Sequence, residues 1–291
     1  MKIIDTTTYF EEDLMMKLRF NILDPYVDKF IVSEATYSHS GNKKDIKFDK
    51  KKFPKFEEKI VHIVLDKEPE NLIKKKTLSN IDLRLNSISR IKEQRNFIFE
   101  HLESYSPNDY IIHSDNDEIP DLKNFDLQKN QKKYVIFKQK MFYYKFNLSL
   151  PDLDWFGSKA CKLKYLKSID FLRSIKNRSY PFYRIDTFFS NLKHQSVEIV
   201  DSGGWHFSNL KNADELERKY LNDENHSEYF LQGYSKETIK SNLLNRTINY
   251  NHKAKKNSSE RFQQTKLSKI KLDILPSYLL DNLEEYSQWI D

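Results

Sequence analysis

Residues 109–121 have the sequence DYIIHSDNDEIPD, and this stretch decides the fold prediction. Tyr110, Ile111 and Ile112 form a short apolar run that is typical of a buried β-strand. Four acidic residues follow it within residues 115–121. In open α/β sheets, ligands bind at the carboxyl ends of the strands. The stretch therefore predicts a strand that delivers acidic side chains to a binding site.

Strands and helices alternate on the N-terminal side of this stretch. Residues 2–10, 30–32 and 60–65 are rich in β-favouring side chains and predict three further strands. Residues 11–23 carry apolar side chains at helical spacing, and a second helical stripe precedes residue 109; it consists of Ile88, Ile91, Ile98 and Leu102. Strands that alternate with helices predict an α/β fold with a parallel sheet.

The composition is that of a folded protein. Although 32% of the 291 residues are charged, 20 Phe, 17 Tyr and 3 Trp supply the bulky groups that disordered chains lack. The single cysteine, Cys161, excludes an internal disulfide and a cysteine-rich zinc site, and it favours a reducing compartment. No signal-peptide pattern and no apolar run of about 18 residues occurs. We therefore expect a cytoplasmic protein.

The net charge and the distribution of lysines indicate which classes of ligand the protein binds. The net charge of +6 is modest, and the lysine clusters at residues 50–52, 74–76 and 253–256 lie among acidic residues, as on ordinary solvated surfaces. We therefore expect no nucleic-acid binding. The small positive excess favours ligands that carry phosphate, or peripheral association with an anionic membrane.

Asp115 and Asp117 are the strongest candidates for chemistry. Alternate residues of an extended stretch point the same way, so both carboxylates can reach one hard cation, or its bound water, together with diphosphate oxygens. The alternative is a solvated acidic turn closed by Asx hydrogen bonds. The position of the acids directly after an apolar strand favours the metal site.

Three segments resemble glycosyltransferase family 17, the relatives of β-1,4-mannosyl-glycoprotein 4-β-N-acetylglucosaminyltransferase. Residues 115–120 resemble its DxDEIP segment, and residues 12–41 resemble its opening helix, VDKFVIVE strand and T-x-x-G turn. Residues 203–208, GGWHFS, and 226–229, HSEY, resemble its later motifs. The order and the spacing fit, and the matches extend over roughly residues 5–230.

This resemblance implies a fold and an activity. The fold is an α/β GT-A-like sandwich with a mixed, mostly parallel central sheet. The activity is inverting transfer of a sugar, with Mn²⁺ or Mg²⁺, from a UDP-sugar such as UDP-GlcNAc to a glycan or lipid-linked saccharide. Residues 1–248 are expected to form the catalytic domain. Residues 249–291 are expected to form a polar linker and a helical tail that packs on it.

The resemblance also implies the metal site. Asp115 and Asp117 match the acids associated with the metal, with Asp117 as a ligand and Asp115 on the ribose, on a metal-bound water or on the metal itself. GT-A enzymes recruit a late histidine, which makes His206 a candidate ligand; its alternative role is packing.

Residues expected to bind the donor either lie near a predicted strand end or carry a positive charge that can balance the diphosphate. They are Glu34, Arg90, Arg95, Asp115, Gly204 and Trp205. Glu34 can accept hydrogen bonds from ribose or base, or it is a surface acid paired with Lys43 or Lys44. The two arginines can balance diphosphate or form helix salt bridges. Gly204 allows close approach to diphosphate or a tight turn, and Trp205 is a sugar platform or a core residue.

Inverting transfer needs a carboxylate that takes the proton of the acceptor hydroxyl. The candidates are Glu118, Asp152, Asp154, Asp201 and Glu228, and their spacing singles out none of them. Two other classes of function compete with transfer: a metal-dependent phosphodiesterase or nuclease, and a non-catalytic protein that binds anionic polymers.

Overall fold

The computed structural model describes residues 1–231, 235–254 and 259–291. Its strands are β1 (Ile3–Tyr9), β2 (Lys29–Ala35), β3 (Ile60–Leu65), β4 (Tyr110–Ser114), β5 (Glu118–Pro120), β6 (Tyr134–Tyr143), β7 (Leu148–Lys162), β8 (Val197–Val200), β9 (Gly204–Ser208), β10 (Thr247–Ile248), β11 (Thr265–Lys266) and β12 (Ser268–Lys269). Its helices are α1 (Asp13–Leu23), α2 (Asn80–Glu100), α3 (Ile169–Ser174), α4 (Ala213–Asn222), α5 (His226–Leu231), α6 (Lys236–Asn245) and α7 (Ser277–Asp281).

A mixed sheet organises the described chain. Its order is β3-β2-β1-β4-β7-β6-β9-β5, with β12 paired to β7 and β8 paired to β6. The first four strands are parallel to one another, whereas β7 is antiparallel to both of its neighbours. The predicted α/β class with a mixed, mostly parallel sheet is therefore confirmed.

Hydrophobic cores cover both faces of the sheet. Consecutive residues of a strand point to opposite faces, so Tyr110 and Ile112 pack with α1, whereas Ile111 packs with α2 and α3. Strands buried on both sides read as continuous apolar runs, which explains the sequence of β4. This arrangement makes the sheet a rigid platform for its loops.

The helix boundaries follow the local polar groups. The first helix begins at Asp13 rather than at the predicted residue 11, because the Glu12 carboxylate accepts hydrogen bonds from the backbone N–H groups of Phe10 (2.9 Å) and Glu11 (3.0 Å). The second helix begins with a capping box between Ser79 and Asp82.

The C-terminal segment contacts the rest of the chain through both strands and side chains. Strand β11 pairs with β10, β12 pairs with β7, and Leu279 and Tyr286 are buried in the same core as α1. The division into residues 1–248 and 249–291 stays a prediction. Among the described helices, none has the length and apolar character needed to span a bilayer. The cytoplasmic location and the membrane association also stay predictions.

Candidate active site

The sheet topology brings the three sequence motifs to one place. In the parallel part of the sheet, Tyr9 pairs with Glu34 and Thr7 pairs with Ser114, so β1, β2 and β4 end at the same edge. The antiparallel pairing of β5 with β9 then aligns Glu118 with His206. The acidic segment after β4 therefore lies against the late glycine-rich segment.

Two arginines hold Asp115. Arg95 of α2 donates a hydrogen bond to Oδ1 at 2.6 Å, and Arg173 at the end of α3 donates to Oδ2 at 2.7 Å. Burial alone would raise the pKa of this carboxyl, but the charges of Arg173 and Arg95 outweigh burial and hold the pKa well below its usual range. Asp115 is therefore a fixed carboxylate. Arg173 was not identified from the sequence, because nothing in the spacing of the short helix around it marks this residue.

Asp117 and His206 form a close pair. His206 Nε2 lies 3.2 Å from Asp117 Oδ2, and the Ser208 hydroxyl lies 3.0 Å from the same nitrogen. Burial would raise the pKa of Asp117 and lower that of His206, but the charge of each partner outweighs it, so the pKa of Asp117 is lowered and that of His206 is raised. The Trp155 ring packs edge-on against the His206 ring, with 4.8 Å between the ring centroids.

The same pair is the candidate for holding a cation. Within the described residues, no group of three or more His, Cys, Asp or Glu side chains is placed to bind a metal ion. Asp117 and His206 nevertheless supply two donors side by side. Mg²⁺ is commonly held by one or two carboxylates together with substrate phosphates. The donor set fits a cation of this kind if a diphosphate supplies further oxygens.

Glu118 lies behind this pair and is fully buried. Its two oxygens accept hydrogen bonds from Trp155 Nε1 (2.8 Å), from Arg173 Nη1 (2.8 Å) and Nη2 (3.1 Å), and from the Asp115 backbone N–H (3.0 Å). A carboxylate has about four acceptor positions, so these bonds saturate it. The structure therefore makes Glu118 a positioning residue for Arg173 and Trp155, contrary to its predicted role as the base.

Two other residues that were predicted to bind the sugar-nucleotide donor already have partners within the protein. Glu34 is buried at the end of β2, where it accepts hydrogen bonds from Lys44 at 2.5 Å and from the backbone N–H groups of Lys47 and Phe48. The pairing with Lys44 was one predicted alternative, but it occurs in the interior and not on the surface. Arg90 forms an ion pair with Glu68 at 2.6 Å. Both side chains are held by these partners, and their role in donor binding stays a prediction.

Gly204 and Trp205 serve packing. Gly204 has φ +131°, and a Cβ there would lie 2.1 Å from the Ile119 carbonyl oxygen, so glycine is required for the close approach of β9 to β5. Trp205 points to the opposite face from His206 and donates a hydrogen bond to the Ile274 carbonyl at 2.7 Å. These contacts agree with the packing alternative for both residues, and their predicted role in donor binding stays a prediction.

Of Asp154 and Glu228, two of the remaining predicted bases, the structure describes the side chain of Asp154 alone. The Asp154 side chain is 66% exposed and lies 3.4 Å from Lys138 on the neighbouring strand. Glu228 belongs to α5, but its side chain lies outside the described part of the structure. The catalytic assignment of these residues stays a prediction.

Two of the cavities near the Asp117–His206 pair differ in their lining: Asp117 itself lines the first, and Trp155, which packs on His206, lines the second. The charged pocket, about 280 Å³, has a lining that includes Thr8, His39, Arg95, Asp115, Asp117 and Lys219. The aromatic cavity, about 440 Å³, has a lining that includes Tyr143, Tyr144, Trp155, Tyr220, Tyr250 and His252. Lys219 and Asp223 line both.

Three solved structures match the chain at low sequence identity and low TM-score. A glycosyltransferase involved in the glycosylation of the major capsid of PBCV-1 is 11% identical, with a TM-score of 0.31 over 69% of this chain and 82% of that chain. HddC from Yersinia pseudotuberculosis is 10% identical, with a TM-score of 0.31 over 69% of this chain and 90% of that chain. An active-site mutant of LgtC is 11% identical, with a TM-score of 0.30 over 69% of this chain and 73% of that chain.

A search of curated proteins finds no match to the sequence. The family model of glycosyltransferase family 17, in contrast, matches residues 1–168, which is more than half of the 291 residues. The matched part contains the strands β1, β2 and β4 and the acidic segment that follows them. The chain therefore belongs to glycosyltransferase family 17.

Proposed function

We propose that this glycosyltransferase moves N-acetylglucosamine from UDP-GlcNAc to a glycan hydroxyl, with inversion at the anomeric carbon and with Mn²⁺ or Mg²⁺ bound. The observation that carries the proposal is the Asp117–His206 pair, 3.2 Å apart, in which Asp117 lines the charged pocket and His206 packs on Trp155 of the aromatic cavity. Family membership favours transfer over the rival phosphodiesterase and anionic-polymer-binding functions.

The charged pocket suits the nucleotide diphosphate. Arg95 and Lys219 line the pocket and bring positive charge, while Arg173 lies directly behind Asp115. Asp117 and His206 would hold the cation, which would neutralise negative charge on the leaving diphosphate. Arg95 and Arg173 keep Asp115 ionised and in a single orientation, ready to accept hydrogen bonds from the ribose or from a water on the cation.

We assign the base to Asp223, which follows α4. Among the described residues that line the aromatic cavity, it is the one carboxylate, and it also lines the charged pocket. In the proposed step the acceptor oxygen bonds to the anomeric carbon, its proton passes to the Asp223 carboxylate, and the bond from the anomeric carbon to the diphosphate oxygen breaks. A single displacement of this kind inverts the anomeric centre.

Calorimetric titration with UDP, with and without Mn²⁺, tests the donor site. Asp117→Asn should remove the Mn²⁺-dependent part of UDP binding and slow transfer by at least about a hundredfold, because it loses a ligand charge that acts on the leaving group. Asp126→Asn is the matched control, since Asp126 is an exposed carboxylate in a distant turn.

Two results would contradict the proposal. The first is an unchanged response to Mn²⁺ in Asp117→Asn, and the second is preference for another nucleoside diphosphate over UDP. Proton NMR of the product formed from UDP-GlcNAc reports the anomeric configuration, and retention would overturn the inverting mechanism.

A further inference from the structure

The aromatic cavity has the construction of a carbohydrate-binding site. Its walls come from the end of β6, from Trp155 of β7, from α4 and from residues 248–252, so distant parts of the chain converge on it. Its volume of about 440 Å³ lies within the usual range for small-molecule sites. Aromatic rings offer broad apolar faces on which the C–H face of a sugar ring can stack.

The rings are fixed by contacts with one another. The Tyr143 hydroxyl lies 2.6 Å from His252 Nε2, and the Tyr250 ring packs edge-on against the His252 ring at a centroid distance of 4.6 Å. Trp155 is held from behind by its hydrogen bond to Glu118 at 2.8 Å. Stacking surfaces that are already ordered lose little entropy when a ligand binds.

The cavity is nearly neutral, unlike the charged pocket. Burial, assisted by the nearby charge of His206, lowers the pKa of His252 to about 4, so this imidazole is uncharged at pH 7. Burial also raises the pKa of the Tyr143 hydroxyl far above its usual value. The charged groups in the described lining, Lys219 and Asp223, lie where the cavity adjoins the charged pocket. This lining disfavours a ligand that carries phosphate or carboxylate groups.

The aromatic cavity lies next to the residues that we assign to the transfer reaction. Trp155 lines the cavity and packs on His206, which contacts Asp117. Asp223 belongs to both cavities. An occupant of the aromatic cavity therefore lies beside the group that we assign as the base.

We propose that the aromatic cavity binds the acceptor as a neutral pyranose unit, stacked on the rings around Tyr250 and His252, with the reactive hydroxyl toward Asp223. This inference rests on the proposed function, since it names the acceptor class for the same transfer. It assigns the acceptor by its chemistry: an uncharged saccharide residue, whatever the glycan or lipid carrier beyond it.

Saturation-transfer NMR and calorimetry with cellobiose, chitobiose and lactose, in the presence of UDP and Mn²⁺, test the site. Glucose 6-phosphate and glucuronic acid are the charged counterparts. At least one neutral disaccharide should bind, and both charged sugars should bind at least about tenfold more weakly. Tyr250→Ala should weaken disaccharide binding about tenfold, because it removes a stacking ring, whereas Tyr250→Phe should retain most of the affinity. The dissociation constant of UDP should be unchanged in both variants.

The remaining outcomes distinguish an error in the acceptor site from an error in the donor site. If UDP binds normally but no neutral saccharide does, or if Tyr250→Ala binds saccharide as well as the wild type, the acceptor site is wrong and the donor site stands. If UDP displaces the disaccharide, the cavity holds the nucleotide and the inference is overturned. If saccharide binds as expected but UDP fails to bind, the proposed function falls while this site remains.

Discussion

The charged pocket and the aromatic cavity share Lys219 and Asp223, but different kinds of interaction hold their other lining residues in place. Ion pairs fix the charged pocket, as in the clamp of Arg95 and Arg173 on Asp115. Ring contacts fix the aromatic cavity. A site for a dianionic leaving group needs charge held in place before the reaction, whereas a site for a neutral sugar needs apolar faces and few charges.

The two sites also come from different parts of the chain. Thr8, His39, Arg95 and Asp115 all belong to residues 1–168, which the family model matches. The aromatic cavity takes Tyr220, Tyr250 and His252 from beyond that region. The part of the chain that defines the family therefore supplies most of the charged pocket. The other cavity depends more on this chain's own C-terminal half, which is where a particular acceptor would be selected.

Asp223→Asn is the sharpest test of a link between the two sites. The amide keeps the shape but cannot take a proton, so we expect turnover to fall about a thousandfold while UDP and saccharide still bind. Initial rates and calorimetry on the same preparation measure both effects. Asp214→Asn is the matched control, because this exposed carboxylate lies in the first turn of the helix that Asp223 follows and lines neither cavity. Equal losses of activity in the two variants would remove Asp223 from the base role.

Arg173→Met tests whether the charged pocket depends on its ion pairs. The change leaves the buried Glu118 and the held Asp115 without their shared partner, and the free energy of unfolding should fall by about 3 kcal/mol. Urea denaturation measures this loss. Saccharide binding by the variant that remains folded should persist, because Arg173 does not line the aromatic cavity in the described structure.

Arg178→Met is the control for that experiment, since Arg178 is exposed and packs on the Tyr180 ring. Adding Glu118→Gln to Arg173→Met should restore part of the stability, because the amide removes the unpaired buried charge. A loss below about 1 kcal/mol in Arg173→Met would mean that solvent screens these ion pairs and that they do not fix the charged pocket.

The sequence predicts the parallel half of the sheet well, because β4 is a continuous apolar run and α1 has clear periodicity. It also places Asp115 and Asp117 at a strand end. It does not identify Arg173, whose importance comes from the packing of α3 against α2 and β4 and not from any local pattern. Long-range packing of this kind has no signature at short sequence separation.

The sequence does not decide between alternative roles of a side chain when the choice depends on whether that side chain is buried. Glu34 and Glu118 are carboxylates beside a proposed site, and only the fold shows that backbone and side-chain donors already satisfy them. Trp205 and His206 are neighbours in sequence, yet β-strand alternation sends them to opposite faces. The aromatic cavity was not predicted, because its rings come from five separate segments.

His39→Gln gives the smallest expected effect and tests the electrostatics of the charged pocket through pH. Burial first, and then the charge of Arg95, lower the pKa of His39 to about 4 despite a hydrogen bond to Gln94 and the opposing charges of Glu12 and Asp115. In the unfolded chain the pKa of histidine is about 6.5.

Between these two pKa values the unfolded chain binds more protons than the folded protein, so the free energy of unfolding decreases as pH falls from about 6.5 to 4. Replacing His39 removes this contribution, and the variant should lose about 2 kcal/mol less than the wild type between pH 7 and 5. Urea denaturation at both pH values measures the difference, with the exposed His101→Gln as control. Parallel losses in the wild type and in His39→Gln would show that His39 titrates normally and that the charged pocket is more hydrated than its contacts indicate.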